Sequence, residues 1–220
     1  MRGPIIAGLI AFASPVAACE TALMLAVDVS GSVDPEEYRV QMDGLAAALE
    51  DRTIMGALTE GQVQLALMQW TGTGRQRVVI SWSQMNQPED VMAFAAQVRT
   101  ERRLWRNFST AIGEALSLSL DYFTLVPECR RRVIDVSGDG PSNEGRLPTE
   151  LWGALAAADV TVNALVIEES EPGLTSYFAQ HVITGEGAFA VTANTFEDYP
   201  AEIRRKLYRE LTKAVAQIVE

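Results

Sequence analysis

The stretch 23-LMLAVDVSGSVDPEEY-38 decides how the rest of the chain is read. Thr21 to Val27 is an apolar run without polar alternation, which predicts a strand buried on both faces. It ends in Asp28, and Ser30 and Ser32 then follow at every second position. The next residues, 34-DPEE-37, carry a helix-start signature, with Asp34 as N-cap, Pro35 at the first helical position and Glu37 as the capping-box acid. Tyr38, Met42, Leu45 and Leu49 recur at helical spacing behind it. The unit is therefore strand, turn, helix. A turn needs small polar residues, but it does not need three oxygen side chains in alternation.

Outward from this unit the elements continue to alternate. Two strand-like runs, 62-QVQLALMQW-70 and 76-QRVVISW-82, are joined by 71-TGTGR-75, a short glycine loop that suits an antiparallel hairpin. Residues 88–100 and 109–123 read as helices and 131-RRVIDVS-137 as a further buried strand. A helix near 149–159, a strand at 160–167, a short helix at 173–183 and a strand at 187–193 follow. The last helix, 200–220, sets Ile203, Leu207, Leu211, Val215 and Ile218 on one face. Strands alternating with helices predict an α/β fold with a mostly parallel sheet covered on both sides. Ligands of such folds bind beyond the carboxyl ends of the strands, where the strand order reverses, and Asp28 to Ser32 lies at such an end.

Length and composition fit one globular domain: 220 residues, 48% hydrophobic and 21% charged. The first 18 residues, with Arg2, an apolar run from Ile5 to Ala13, and Val16 and Ala18 at the positions a signal peptidase reads, predict an export signal removed after Ala18. The domain then runs from 19 to 220, and a periplasmic or secreted location is expected. No other segment reaches the ~18 apolar residues a membrane span requires. Loss of Arg2 leaves 17 basic against 29 acidic residues, a net charge of −12. That surface repels phosphate backbones, so no nucleic-acid partner is expected. The basic clusters 102-RRLWR-106, 130-RRR-132 and 204-RRK-206 read as solvated element ends.

The oxygen-bearing residues gather further members. Thr110 in 109-STAIGEAL-116 opens a helix, and 137-SGDG-140 puts Asp139 at the end of another strand on the same edge. Two carboxylates and three hydroxyls are hard donors, without His or Cys nearby in sequence. They favour Mg²⁺, with Mn²⁺ or Ca²⁺ as substitutes, over zinc and copper. Ser30 and Ser32 face one side if the backbone between them is extended, and Gly31 lets the turn come close. Two carboxylates neutralise a divalent ion while neutral hydroxyls leave it electrophilic, so an Asp or Glu of a partner could complete its shell. Taken singly, each residue has a plainer use: Asp28, Ser30 and Ser32 as turn formers and caps, Thr110 as a helix N-cap, Asp139 as a turn residue. Their conjunction at one edge carries the inference.

At these residues the sequence resembles the von Willebrand factor type A domains. Asp28, Ser30 and Ser32 match the family's Asp-x-Ser-x-Ser signature, Thr110 its threonine loop, and Asp139 before Gly140 its second aspartate. The resemblance covers the whole chain after the leader and extends to a bacterial group of exported proteins with this domain. It implies a three-layer, doubly wound, Rossmann-like six-stranded sheet with one antiparallel edge strand. It also implies a metal-ion-dependent adhesion site in which Ser30, Ser32 and Thr110 touch the metal, and Asp28 and Asp139 act directly or through water. Two positions depart from the pattern. Residues 107-NFST-110 stand where many relatives have two glycines before the threonine, and Gly138 stands where a hydroxyl residue often precedes the aspartate.

Two enzymatic readings compete with a binding module. A serine hydrolase needs a base beside its nucleophile, and His181, the single histidine, falls two elements away. A Mg²⁺-dependent phosphatase using the same oxygens would want a second aspartate two residues after Asp28, where Ser30 stands. The expectation is a non-enzymatic module that grips a protein carboxylate through its metal, rimmed by residues 71–75, 102–108 and 140–148. Two cysteines remain. Export makes Cys19 and Cys129 a disulfide candidate, while 16-VAAC-19 resembles a lipoprotein cleavage box that would give Cys19 a lipid anchor. The family's strand order implies that the strands following the two cysteines are parallel neighbours, which favours the bridge.

Overall fold

The structure, a computed structural model, describes residues 19–217. The leader read at 1–18, the side chain of Val215, and Ile218 lie outside the described residues.

β1 (Thr21–Asp28) is buried along its whole length and leads through a short turn into α1 (Pro35–Leu49). The Asp34 carboxylate accepts from the amides of Glu36 and Glu37, and Glu37 accepts from the amide of Asp34, so the capping box read in the sequence closes reciprocally. α2 (Arg52–Glu60) was not anticipated. Asp51 caps it by accepting from Thr53 and Ile54, and it buries only Ile54 and Leu58, one i,i+4 pair too brief to show as a periodicity.

β2 (Gln64–Trp70) and β3 (Gln76–Gln84) form the expected antiparallel hairpin. α3 (Pro88–Thr100), α4 (Ile112–Phe123) and β4 (Arg131–Gly138) follow. α5 (Trp152–Ala157), β5 (Val160–Ile167), α6 (Leu174–His181), β6 (Ala190–Ala193) and α7 (Tyr199–Gln217) complete the chain.

The six strands lie in the order β3-β2-β1-β4-β5-β6, parallel except for the β3 edge. Side chains alternate across β1 and β4. Leu23, Leu25, Val27 and Val133 pack with Leu45, Ile54, Phe94 and Leu207 of the layer formed by α1, α2, α3 and α7. Met24, Ala26, Ile134 and Val136 pack on the opposite face with Leu116, Leu155 and Phe178 of α4, α5 and α6. This is the three-layer arrangement that the alternation predicted. The chain leaves β1 toward β2 and later returns to β1's other side as β4, so the strand order reverses between β1 and β4. Asp28 ends β1, and Asp139 directly follows β4.

At the opposite end of the same pair, Thr21 is in register with Arg131, and Cys19 and Cys129 lie two residues before each. Their sulfurs form a disulfide across a Cα separation of 4.5 Å, inside the range such bridges span. With that sulfur committed, the lipid-anchor alternative at Cys19 has no thiol to use.

Two of the three basic clusters each hold one residue that departs from the solvated element end expected of it, while Arg102, Arg106, Arg130, Arg204 and Arg205 are exposed as expected. Lys206 of 204-RRK-206 is fully buried, 2.6 Å from Asp135 of β4 and 3.1 Å from Glu210. Arg103 of 102-RRLWR-106 donates to the carbonyls of Val29 and Ser30. In both cases a carboxylate or carbonyl from a distant segment supplies the partner, which a run of basic residues does not reveal. No helix among the described residues is long and apolar enough to cross a membrane.

Candidate metal centre

The turn after β1 is folded by its own polar groups. The Ser30 amide donates to Asp28 Oδ1 at 2.7 Å, which consumes one carboxylate oxygen. The other, Oδ2, is buried and has no hydrogen-bond partner among the described residues. The Ser30 and Ser32 hydroxyls lie 3.2 Å apart, and the Ser32 hydroxyl donates to Asp139 Oδ1 at 2.7 Å. The loop after β1 and the loop after β4 therefore meet through residues 107 positions apart. Gly31 is needed where it stands: its amide donates to the Phe108 carbonyl, and a Cβ there would lie 3.2 Å from that oxygen and 3.3 Å from Asn107 Cα.

Thr110 arrives by a different route from the one read in the sequence. α4 begins at Ile112, not at Ser109, and its N-cap, Ala111, offers no side-chain bond. The first-turn amide of Ile112 instead donates to Ser142 Oγ, from the loop after β4. Asn143 clamps the same place: its side-chain oxygen accepts from the Thr110 amide, and its own amide donates to the Thr110 carbonyl. The Ala111 amide donates to the Thr71 carbonyl, and Thr71 Oγ1 donates to the Ser109 carbonyl. Capping is thus done from elsewhere, and the Thr110 hydroxyl takes no part in it. That hydroxyl faces Gly140, 3.9 Å from where a Cβ would sit. Ser142, Asn143 and Thr71 were not singled out from the sequence. A polar Ser-Asn pair three residues after Asp139 is the only signal that could have drawn attention to them.

Burial governs the electrostatics. The Asp28 carboxyl is pushed up to about 8, first by burial, then by the charge of Asp139, against the opposing pull of Ser30 and Arg103. Asp139 is also raised by burial, with the Ser32 hydrogen bond working against it. Without a cation, the two acids resist ionising together. The arrangement fits a hard divalent ion: it has two carboxylates, a buried oxygen without a partner among the described residues, adjacent hydroxyls, and the Thr110 hydroxyl next to Gly140. No group of three or more His, Cys, Asp or Glu side chains that could hold a metal occurs among the described residues, so hydroxyls would have to complete any shell here.

Gly138 also has a reason. A Cβ at that position would come within 3.3 Å of Asp28 Oδ2 and 3.4 Å of the Phe178 ring. The expected rim loops interlock around the centre: Thr73 donates its amide to Glu144, and the Arg75 guanidinium lies 3.8 Å over the Phe108 ring. His181 lies exposed on α6 with its ring against Tyr177, and it makes no hydrogen bond to a serine among the described residues.

A family model described as "Protein of unknown function (DUF1194)" matches residues 18–215. The chain belongs to that family. No curated protein matches it. Among solved structures, proximal thread matrix protein 1 from the mussel byssus, with a zinc-occupied MIDAS motif, is similar at 19% identity and a TM-score of 0.68. The match covers 89% of this chain and 48% of that one. A von Willebrand factor type A structure from Catenulispora acidiphila is 20% identical with a TM-score of 0.60, over 87% of this chain and 43% of its own. The pilus adhesin SpaC from Lactobacillus rhamnosus GG is 11% identical with a TM-score of 0.61, over 89% and 30%. The chain spans about half or less of each of these proteins. The DUF1194 chain has the von Willebrand factor type A fold.

Proposed function

We propose that this DUF1194 protein is an exported binding module that recognises a partner's Asp or Glu side chain through a divalent cation. Asp28, Ser30, Ser32, Thr110 and Asp139 would hold the cation. The observation that carries the reading is the buried Asp28 Oδ2, unpartnered beside a second raised acid at the edge where the strand order reverses. A buried acid without a cation is costly, and a bound ion removes that cost. The ion supplies a Lewis-acidic position for an incoming carboxylate; the chain orients it with hydroxyls and shields it with the loops 71–75, 102–108 and 140–148.

The mussel protein's motif holds zinc, and SpaC is an adhesin. Both lend support to a metal-dependent adhesive role, and the first makes zinc a competitor to test beside Mg²⁺, Mn²⁺ and Ca²⁺. Export into the periplasm or the medium is supported by the leader-like N-terminus and by the Cys19–Cys129 disulfide. The absence of a His181–serine pair among the described residues favours binding over serine hydrolysis.

Calorimetric titration with Mg²⁺ and Zn²⁺ tests the centre. The wild type binds and the Ser30→Ala/Ser32→Ala double variant loses most of the affinity; equal affinities would remove the site. Turnover of a phosphate ester that disappears in Asp28→Ala would replace the binding role with a metal-assisted hydrolytic one.

A further inference from the structure

A cleft of about 400 Å³ opens between the start of α1 and the segment after α3. Four guanidinium groups line it, those of Arg39, Arg102, Arg103 and Arg106, against one carboxylate, Glu101. This concentration stands out in a chain of net charge −11. Two of the four are occupied. Arg39 pairs with Asp43 and donates to the Arg99 and Glu101 carbonyls, and Arg103 donates to those of Val29 and Ser30. Arg102 and Arg106 are exposed, with no carboxylate partner among the described residues.

The wall that carries them is held in place. Gln69, a buried amide at the end of β2, donates to the Arg102 carbonyl at 2.9 Å and accepts from the Leu104 amide at 2.9 Å. It also donates to the Tyr38 hydroxyl, which itself donates to the Glu101 carbonyl. Arg103 joins the cleft to the metal centre, because the Ser30 carbonyl it holds at 2.7 Å belongs to a residue of the oxygen cluster. On another side of the cluster the charge is of the opposite sign: Asp34, Asp139 and Glu169 lie near enough to Glu37 to raise its carboxyl, after burial has done so. An anionic ligand is repelled there and attracted over the arginines.

We propose that this cleft is a second anchor for an acidic segment of the partner protein: one carboxylate meets the cation at the Asp28–Asp139 cluster, and a second acid a few residues away is held by Arg102 and Arg106. The proposal rests on the metal-bridged reading above. Arginine forks suit carboxylates because their paired N–H donors match the two oxygens. Their exposure makes the contribution sensitive to salt.

The test uses fluorescein-labelled octaglutamate as the probe, with Mg²⁺, followed by fluorescence anisotropy on the purified protein. The Arg102→Ala/Arg106→Ala variant should bind the peptide about tenfold more weakly and with a shallower salt dependence, a loss larger than any change in its Mg²⁺ affinity by calorimetry. Unchanged peptide affinity in that variant, with loss only in Ser30→Ala/Ser32→Ala, would overturn the cleft and leave the metal-bridged reading standing. Binding lost in the arginine variant but kept in the serine variant and in chelator would overturn the metal bridge, and with it the two-anchor arrangement. Wild-type protein that ignores the peptide, or that prefers phosphatidylglycerol vesicles to it through the same arginines, would overturn the proposal.

Discussion

Two clusters of buried acids sit on one sheet and are treated in opposite ways. Under α7, Asp135 of β4 and Glu210 share the fully buried Lys206. Asn163 closes the group, donating to Glu210 Oε1 at 2.6 Å and accepting from the Phe189 amide. Burial raises Asp135 to about 6, held from rising further chiefly by Lys206. At the strand ends, Asp28 and Asp139 have no such buried cation among the described residues. Arg103 acts on Asp28 only as the weakest of the influences that shape its pKa, and Asp28 rises to about 8. The first cluster carries its counter-charge within the chain. The second is left short of one, which is the condition for taking a cation from solution.

That contrast can be broken most directly by removing the internal cation. Lys206→Met leaves Asp135 and Glu210 buried without their counter-charge, and should cost ~3–5 kcal/mol in denaturant unfolding. A loss below 1 kcal/mol would mean that the two clusters do not differ in kind. At the strand ends the counter-charge can be added instead. A divalent ion at a hundredfold excess over its Kd should stabilise the fold by ~2.7 kcal/mol and raise Tm by roughly 5–10 °C. No shift in differential scanning calorimetry with Mg²⁺, Mn²⁺, Ca²⁺ or Zn²⁺ would remove the asymmetry.

Neutralising one acid in each cluster should give opposite signs. Asp28→Asn relieves an uncompensated burial, so it should stabilise the chelated protein at pH 7 by ~0.5–2 kcal/mol while ending metal binding. Asp135→Asn takes a partner from Lys206 and should destabilise. The pH dependence follows from the same asymmetry. A carboxyl raised in the folded state contributes stability that is fully present below the unfolded value and lost as pH climbs to the folded one. Chelated wild type should therefore lose stability between about pH 4 and pH 8 through Asp28, and that slope should flatten in Asp28→Asn or with metal bound. Gly31→Ala has the smallest expected effect. Its Cβ presses on backbone at residues 107 and 108, which should cost ~1 kcal/mol and weaken metal affinity a few-fold.

The legible parts of the fold are those with local causes. The capping box at Asp34 and Glu37, the glycine loop between β2 and β3 and the unbroken apolar run of β1 announce themselves because neighbours in sequence satisfy one another. α2 was missed because its buried face is one residue pair, Ile54 and Leu58. The start of α4 was misplaced by three residues because its first amide finds Ser142, thirty positions away. Lys206 and Glu210 sit four apart on a helix, a spacing that reads as a solvent-exposed pair, and only α7's packing over β4 turns them into a buried group with Asp135.

The candidate centre divides along the same line. Alternating oxygens after an apolar run, with an aspartate ending a second such run, fix which residues could serve a cation, because residue type and strand periodicity are written in the chain. Tertiary structure alone decided that Ser32 reaches Asp139, that Ser142 relieves Thr110 of capping, and that one oxygen of Asp28 is enclosed without a partner among the described residues. Those outcomes depend on which distant segments share a sheet edge and on how completely water is excluded there, and neither is a property of any short stretch of sequence.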